Sequence, residues 1–220
     1  MIMNRTIKGA VFDLDGVLVD TARFHYLAWK KLAEELGFSF SPKQNEALKG
    51  VSRMKSLDLL LGIGRLSFPE NIKIELAQKK NNWYVQYLQT LTQNDLLDYV
   101  LETLTDLRQK GIRTAIGSAS KNTPLILEKT KLAGYFDVVV DGNSVSKAKP
   151  DPEVFLTAAQ RLGISPEECL VFEDSEAGIQ AAAAAHMFSI YLGTPSHAVP
   201  ADLTISNLRG FSLSKIVGGM

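Results

Sequence analysis

The chain has 220 residues, of which 45% are hydrophobic and 22% are charged, a composition typical of folded globular proteins. Its 24 basic and 24 acidic side chains balance to zero formal net charge, so composition gives no general attraction to nucleic acid or to membranes. A single cysteine excludes an intrachain disulfide, and no apolar run is long enough to cross a membrane. We therefore expect a soluble cytoplasmic protein, and we interpret Cys169 as a buried, inert thiol.

The first part of the chain predicts one buried strand and then helices only. The strand covers residues 7–14, because its residues form a continuous apolar run. Between residues 20 and 95 no strand is evident, and apolar residues recur every three or four positions. The predicted helices cover residues 21–36, 42–49, 53–61 and 69–91, with Ser41-Pro42 and Pro69 as starts and Gly37, Gly62 and Gly64 as stops.

From residue 95 onward, short apolar strands alternate with helices. The predicted strands lie at 112–117, 136–140, 170–172, 188–192 and 203–205, the last as an edge strand. Alternation of this kind predicts an α/β fold with a doubly wound parallel sheet. We expect residues 1–20 and 95–220 to form the α/β core domain, and residues 21–94 to form an inserted helical cap domain.

The most informative stretch is Val11-Phe-Asp-Leu-Asp-Gly-Val-Leu18. Asp13 and Asp15 stand two residues apart at the end of an apolar run, and such positions on a strand face the same side. Gly16 follows at once and allows a sharp turn. Two carboxylates this close require a cation or a shared proton between them. Taken alone, the spacing leaves open both an acidic turn and a reactive carboxylate pair.

Polar side chains also follow other predicted strands, at the edge of the sheet where open α/β proteins bind ligands. In chain order they are Asp13 and Asp15, then Ser118, then Lys149, then Glu173 and Asp174. Carboxylates suit Mg²⁺, whereas a hydroxyl at a helix start and a lysine suit a phosphate group. For Lys149 the alternative is an exposed loop lysine, like its neighbour Lys147.

This order of motifs, D-x-D-G, serine, K-P and E-D, resembles the haloacid dehalogenase superfamily. The resemblance implies that Asp13 is the nucleophile that accepts a phosphoryl group and that Asp15 is the general acid and base. Asp13, the backbone carbonyl of Asp15, and Asp174 would hold Mg²⁺. Glu173 would be a further ligand or would orient a metal-bound water.

Longer strings, Leu48-Lys-Gly-Val-Ser-Arg53 and Ser118-Ala-Ser-Lys-Asn122, are similar to the β-phosphoglucomutase family within that superfamily. The similarity implies interconversion of β-D-glucose 1-phosphate and glucose 6-phosphate through β-glucose 1,6-bisphosphate. It also implies a monomer, in line with the lack of a visible apolar patch motif in the sequence. Arg53 would then hold the distal phosphate, and His25 would couple cap closure to the chemistry. The other expected substrate and cap contacts are Thr21, Trp29, Gly50, Val51, Ser52, Ser56, Lys80, Ala119, Ser120, Lys121 and Asn122.

Two other functions remain open at this stage. A sugar-phosphate or phosphoglycolate phosphatase of the same fold would use water as the acceptor of the phosphoryl group. A sugar-phosphate-binding regulator would have no turnover, although an intact Asp13 and Asp15 pair argues against it. The sequence also departs from the family where Asp98-Tyr99 replaces a common Pro-Gly pair, a change expected to affect the hinge. We interpret His186 and His197 as structural.

Overall fold

The structure is a computed structural model that describes residues 6–194 and 200–216. Its centre is a six-stranded sheet whose strands are all parallel. The strands are β1 (Gly9–Phe12), β2 (Arg113–Gly117), β3 (Val138–Val140), β4 (Cys169–Glu173), β5 (Phe188–Leu192) and β6 (Leu203–Ile205). Their spatial order is β3-β2-β1-β4-β5-β6, so β6 is the edge strand that the sequence predicts. His197 lies outside the described residues.

Eight α-helices accompany the sheet among the described residues. Five lie between β1 and β2: α1 (Ala22–Glu35), α2 (Pro42–Asn45), α3 (Arg53–Gly64), α4 (Glu70–Leu88) and α5 (Val100–Gln109). The other three alternate with the later strands: α6 (Thr123–Thr130), α7 (Glu153–Leu162) and α8 (Glu176–Ala184). No helix in the described ranges is both long enough and apolar enough to span a membrane.

Side chains of β1 alternate between the two faces of the sheet, and helices cover both faces. Ala10 and Phe12 join an apolar cluster that includes side chains of α5 and α6. Val11 joins a second cluster that includes side chains of α7 and α8. The rings of Phe12 and Phe172 stack with their centres 4.3 Å apart, which ties β1 to β4. This arrangement confirms the doubly wound α/β class.

The strand order places a crevice beside β1. Strands β2 and β3 lie on one side of β1, and strands β4, β5 and β6 lie on its other side. The chain therefore changes direction across the sheet at β1. Such a switch point opens a cleft beyond the carboxyl ends of the two central strands. Residues that directly follow β1 and those at the end of β4 therefore lie at the mouth of this cleft.

Helices α1 to α4, which we call the insert, enclose an apolar cluster of their own. Trp29, Leu32, Leu57 and Leu60 are buried in it. The two segments that connect the insert to the core run side by side, because the N–H of Leu97 donates to the carbonyl of Leu18 at 3.0 Å. The domain boundaries at residues 20/21 and 94/95 stay a prediction.

Helix α3 passes through the first of the two glycines that were expected to stop it and ends at the second. It continues through Gly62 to Gly64, and the next residue, Arg65, takes a left-handed conformation with φ 53°. Gly64 is also a packing residue, because a Cβ atom there would lie only 2.6 Å from the ring of Phe38. The stop expected at Gly62 is therefore wrong, whereas Gly64 both ends α3 and makes a close contact inside the insert.

The Asp98-Tyr99 pair, which stands in place of a common Pro-Gly pair, has an unusual backbone conformation. Tyr99 precedes α5 with φ 67°, a left-handed conformation that is uncommon for residues other than glycine. Its ring packs against the main apolar cluster and lies 5.6 Å from the guanidinium of Arg209. Glycine would adopt this left-handed conformation with less steric strain. Tyr99 adopts it while its ring is packed against the core.

Two leucines of α1 test how far the insert depends on its own core. Leu32 is fully buried, whereas 44% of Leu27 is exposed. We expect Leu32→Ala to lower the free energy of unfolding by about 2–5 kcal/mol through lost contacts and a cavity, and Leu27→Ala by at most about 1 kcal/mol. Urea unfolding followed by tryptophan fluorescence measures this, since both tryptophans, Trp29 and Trp83, lie in the insert. Equal losses would contradict the assignment of Leu32 to its core.

Candidate active site

A buried lysine holds two carboxylates together at the mouth of the cleft. Lys149 Nζ lies 2.5 Å from Asp13 Oδ1 and 2.5 Å from Glu173 Oε1, and all three side chains are buried. Lys147, by contrast, has 69% of its side chain exposed. The reading of Lys149 as an ordinary loop lysine is therefore excluded. Burial alone would lower the pKa of Lys149, but the two carboxylates raise it above its usual value, so it stays charged.

Glu173 is engaged on both sides of its carboxylate. While Oε1 faces Lys149, Oε2 accepts hydrogen bonds from the N–H groups of Asp174 and Ser175 and from the Ser175 hydroxyl, each at 2.9 Å. Gly178 allows this arrangement, because a Cβ atom there would collide with the Glu173 carboxylate. Glu173 thus anchors Lys149 from behind.

Three carboxylates lie close enough to share one cation. Asp13, Glu173 and Asp174 each offer an oxygen, and these atoms lie within 4.8 Å of one another. Burial and the neighbouring Glu173 raise the pKa of Asp174 to about 7. Burial also raises the pKa of Asp13 well above its usual value, even though Lys149 opposes this. Oxygen donors and excess negative charge fit a hard divalent cation such as Mg²⁺.

Asp15 lies beside this group but has different partners. Its Oδ1 accepts hydrogen bonds from the hydroxyl of Thr21 and from that of Tyr84, the latter at 3.4 Å. Removal from water raises the pKa of Asp15, and the Thr21 hydrogen bond opposes the shift. A carboxyl with a raised pKa suits a group that must gain and lose a proton. Thr21 therefore contacts the acid/base candidate, while its own side chain is buried away from the cavity.

Lys80 and His25 form a second polar pair, on the insert side. Lys80 Nζ lies 2.9 Å from His25 Nδ1, and 4.5 and 4.6 Å from the ring centres of Trp29 and Tyr84. Burial lowers the pKa of both groups well below their usual values, helped by Lys80 for His25 and by Arg53 for Lys80.

The loop after β2 is shaped by its own hydroxyl groups. Ser118 Oγ accepts from the N–H of Ser120 at 3.1 Å, and Ser120 Oγ accepts from the N–H of Asn122 at 3.2 Å. Each hydroxyl keeps its hydrogen for another acceptor. This loop leads directly into α6, as predicted, and its polar groups lie at the same edge of the sheet as Asp13.

A cavity of about 450 Å³ lies between this edge of the sheet and the insert. Most of the predicted site residues line it: Asp13, Asp15, His25, Trp29, Gly50, Val51, Ser52, Arg53, Lys80, Ala119, Ser120, Lys121, Asn122, Lys149 and Asp174. Four others are buried behind its wall: Thr21, Ser56, Ser118 and Glu173. Ser56 does not line the cavity as expected, and its buried hydroxyl donates to the carbonyl of Leu48 at 3.4 Å.

Sequence reasoning missed several polar groups at the site. Lys49 Nζ lies 3.5 Å from Asp174 Oδ2, and Asn45 and Asn81 line the cavity. Tyr84, the second donor to Asp15, stands one helical turn after Lys80. That spacing of four places both on one face of α4, and it was the one sequence signal that could have identified Tyr84.

The insert touches the core directly at the edge of the cavity. A Cβ atom at Gly50 would collide with the hydroxyl of Ser175, which belongs to the loop between β4 and α8. Gly50 also has φ 72°, a conformation that favours glycine. The two parts of the molecule therefore meet closely over the site.

Comparisons with known proteins agree with this geometry. The model of the haloacid dehalogenase-like hydrolase family matches residues 7–186. A β-phosphoglucomutase of Bacillus subtilis is 39% identical, over 94% of this chain and 92% of that protein. A phosphorylated carbohydrates phosphatase of Thermotoga maritima is 30% identical, over 84% of each chain. The crystal structure of a β-phosphoglucomutase from Clostridium difficile superposes with a TM-score of 0.90 at 38% identity, covering 96% of this chain and 95% of that one.

The acidic cluster predicts a binding site for Mg²⁺ that depends on Asp174. Asp174→Asn removes one negative ligand, so we expect at least a tenfold weaker affinity for Mg²⁺ at constant ionic strength. Isothermal titration calorimetry measures it, and Asp106→Asn is the matched control, since Asp106 pairs with Lys110 on the exposed face of α5. The same affinity for Mg²⁺ in both variants would show that Asp174 is not a ligand of the metal ion.

Proposed function

Because this chain belongs to the haloacid dehalogenase-like hydrolases, we propose that it is a β-phosphoglucomutase that moves a phosphoryl group between a sugar phosphate and Asp13. It interconverts β-D-glucose 1-phosphate and glucose 6-phosphate through β-glucose 1,6-bisphosphate. Two proteins named β-phosphoglucomutase match nearly the whole chain at 38–39% identity.

One observation carries the proposal: a single cavity is lined by the reacting groups and by further donors suited to a second phosphate. Asp13 and Lys149, with Asp174 acting through Mg²⁺, suit the transferring phosphate, and Arg53 and Asn122 offer donors to the other. A simple phosphatase needs only the first group of side chains. A bisphosphate needs both groups, because each of its phosphates must occupy each place in turn. The planar guanidinium of Arg53 suits a phosphate that arrives from either end of the sugar.

The chemistry divides into two transfers. In the first, a hydroxyl of the bound monophosphate attacks the phosphorus of phospho-Asp13, the bond to Asp13 breaks, and Asp15 takes the hydroxyl proton. The resulting bisphosphate turns over in the cavity. In the second, Asp13 attacks the other phosphate, the bond to the sugar oxygen breaks, and Asp15 returns the proton to that oxygen. Lys149 opposes the negative charge in both transfers.

Mg²⁺ would be held by Asp13, the backbone carbonyl of Asp15, and Asp174, where it would neutralise charge on the transferring group. Glu173 has both carboxylate oxygens engaged by protein donors. We therefore assign Glu173 to holding Lys149 and the Asp174 backbone in place, and not to direct ligation.

We further propose that the insert acts as a cap whose position controls Asp15. Tyr84 belongs to α4 of the insert and donates to Asp15, so this hydrogen bond exists only when the insert lies over the core. The hydrogen bond between Lys80 and His25 fixes the neighbouring turn of α4 against α1. A cap that must close before Asp15 is fully placed would limit the loss of phospho-Asp13 to water.

We also propose a monomer. The large apolar side chains that are exposed among the described residues, Leu27, Ile74 and Leu156, lie on three different helices. Isolated apolar residues of this kind are normal on the surface of a monomer. The cytoplasmic location stays a prediction from composition.

A ³¹P NMR time course tests the proposed function. With Mg²⁺ and a trace of the bisphosphate, β-glucose 1-phosphate should give glucose 6-phosphate with little free phosphate. Asp13→Asn should lower the rate by at least about a thousandfold, since an amide cannot form the acyl phosphate. Free phosphate as the main product would favour a sugar-phosphate phosphatase, and no reaction would favour a binding protein.

Arg53→Ala tests the second phosphate position. We expect kcat/KM for β-glucose 1-phosphate to fall by about 10- to 100-fold, because a charge-assisted contact is lost. Hydrolysis of acetyl phosphate, which has no distal phosphate, should fall by less than about threefold. Lys55→Ala removes a positive charge from an exposed position of the same helix and serves as the control. Equal losses on both substrates would show that Arg53 supports the fold instead.

A further inference from the structure

Asn122 directly precedes α6, yet its side chain makes no hydrogen bond to the first turn of that helix. An asparagine at this position usually accepts a hydrogen bond from an N–H group of the first turn. Here its Nδ2 atom instead donates to Oδ1 of Asn81 on α4, at 3.0 Å. The side chain thus gives up a local partner and joins the core to the insert.

The loop that ends at Asn122 does not need Asn81 to hold its backbone. The N–H of Gly142 donates to the carbonyl of Ser120 at 3.2 Å, and Asn143 Nδ2 donates to the carbonyl of Lys121 at 3.1 Å. These contacts come from the core and support the loop from behind. What the contact with Asn81 adds is a fixed orientation for the Asn122 amide.

We propose that Asn81 is a positioning residue that orients the Asn122 amide for the distal phosphate of the substrate. This inference rests on the proposed function. The Asn122 amide has two hydrogens, and the one that Asn81 does not use is available to a phosphate oxygen. Because Asn81 belongs to the insert, the distal phosphate is held best when the insert covers the cavity, so substrate binding favours the covered arrangement.

The neighbouring residue on α4 supports this role. Lys80 makes a hydrogen bond with His25 near the acid/base candidate, while Asn81 accepts one from Asn122 in the loop between β2 and α6. Two consecutive residues of one rigid helix thus contact the two ends of the site. A shift of α4 would disturb both contacts together.

The contribution of Asn81 to substrate affinity can be measured without turnover. The measurement is the binding of glucose 6-phosphate to the Asp13→Asn protein in the presence of Mg²⁺. We expect Asn81→Ala in this background to raise Kd about fivefold or more. Asn82→Ala should leave Kd within twofold, because Asn82 is exposed and its side-chain oxygen accepts from Gln78 of the same helix, at 2.8 Å. Alanine favours the helix at both positions, and thermal unfolding verifies that each variant is folded.

A double-mutant cycle separates orientation from direct contact. If Asn81 acts through Asn122, the Asn81→Ala/Asn122→Ala protein binds glucose 6-phosphate as weakly as Asn122→Ala alone. If the losses of affinity from the two single changes multiply in the double variant, Asn81 contacts the substrate itself. If Kd is unchanged in Asn81→Ala, Asn81 has no role in binding. Either result overturns this inference and leaves the proposed function standing. A parent Asp13→Asn protein that binds no glucose 6-phosphate would overturn the proposed function as well.

Discussion

The site depends on one buried ammonium group. Lys149 lies between Asp13 and Glu173, and all three side chains are almost fully shielded from water. Buried charges are costly unless they are paired, so removing Lys149 would leave two carboxylates facing each other. The lysine joins the end of β1 to the end of β4 through the loop that follows β3. The charge that fits phosphoryl transfer is therefore also the charge that allows these strand ends to converge.

This constraint extends outward through a series of contacts. Glu173 is held by Ser175, whose hydroxyl also accepts from the N–H of Gly178 at the start of α8. The same Ser175 hydroxyl lies against Gly50 of the insert. The position of the insert is thus linked to the nucleophile by three side chains, and the aspartates do not act as isolated groups at strand ends.

Local patterns predicted the sheet, because apolar runs and turn residues report on each strand independently. Asp13, Lys149 and Asp174 could be placed together because parallel strands converge at their carboxyl ends. Lys49 and Asn81 could not, since their roles depend on how the insert packs across the cleft, and Tyr84 had only its spacing from Lys80 as a signal. Gly62 was misread as a helix stop, and the contact of Gly64 with Phe38 is one that no spacing along the chain reveals.

Gly50 sets how closely the insert and the core can approach each other. An added carbon there would collide with the Ser175 hydroxyl, and the backbone conformation at residue 50 already favours glycine. The same hydroxyl donates to Glu173, so a larger side chain at residue 50 would have to displace either the insert or the group that holds Glu173. The seam between the two parts of the molecule and the arrangement of the buried carboxylates are therefore adjusted together, and neither can drift alone.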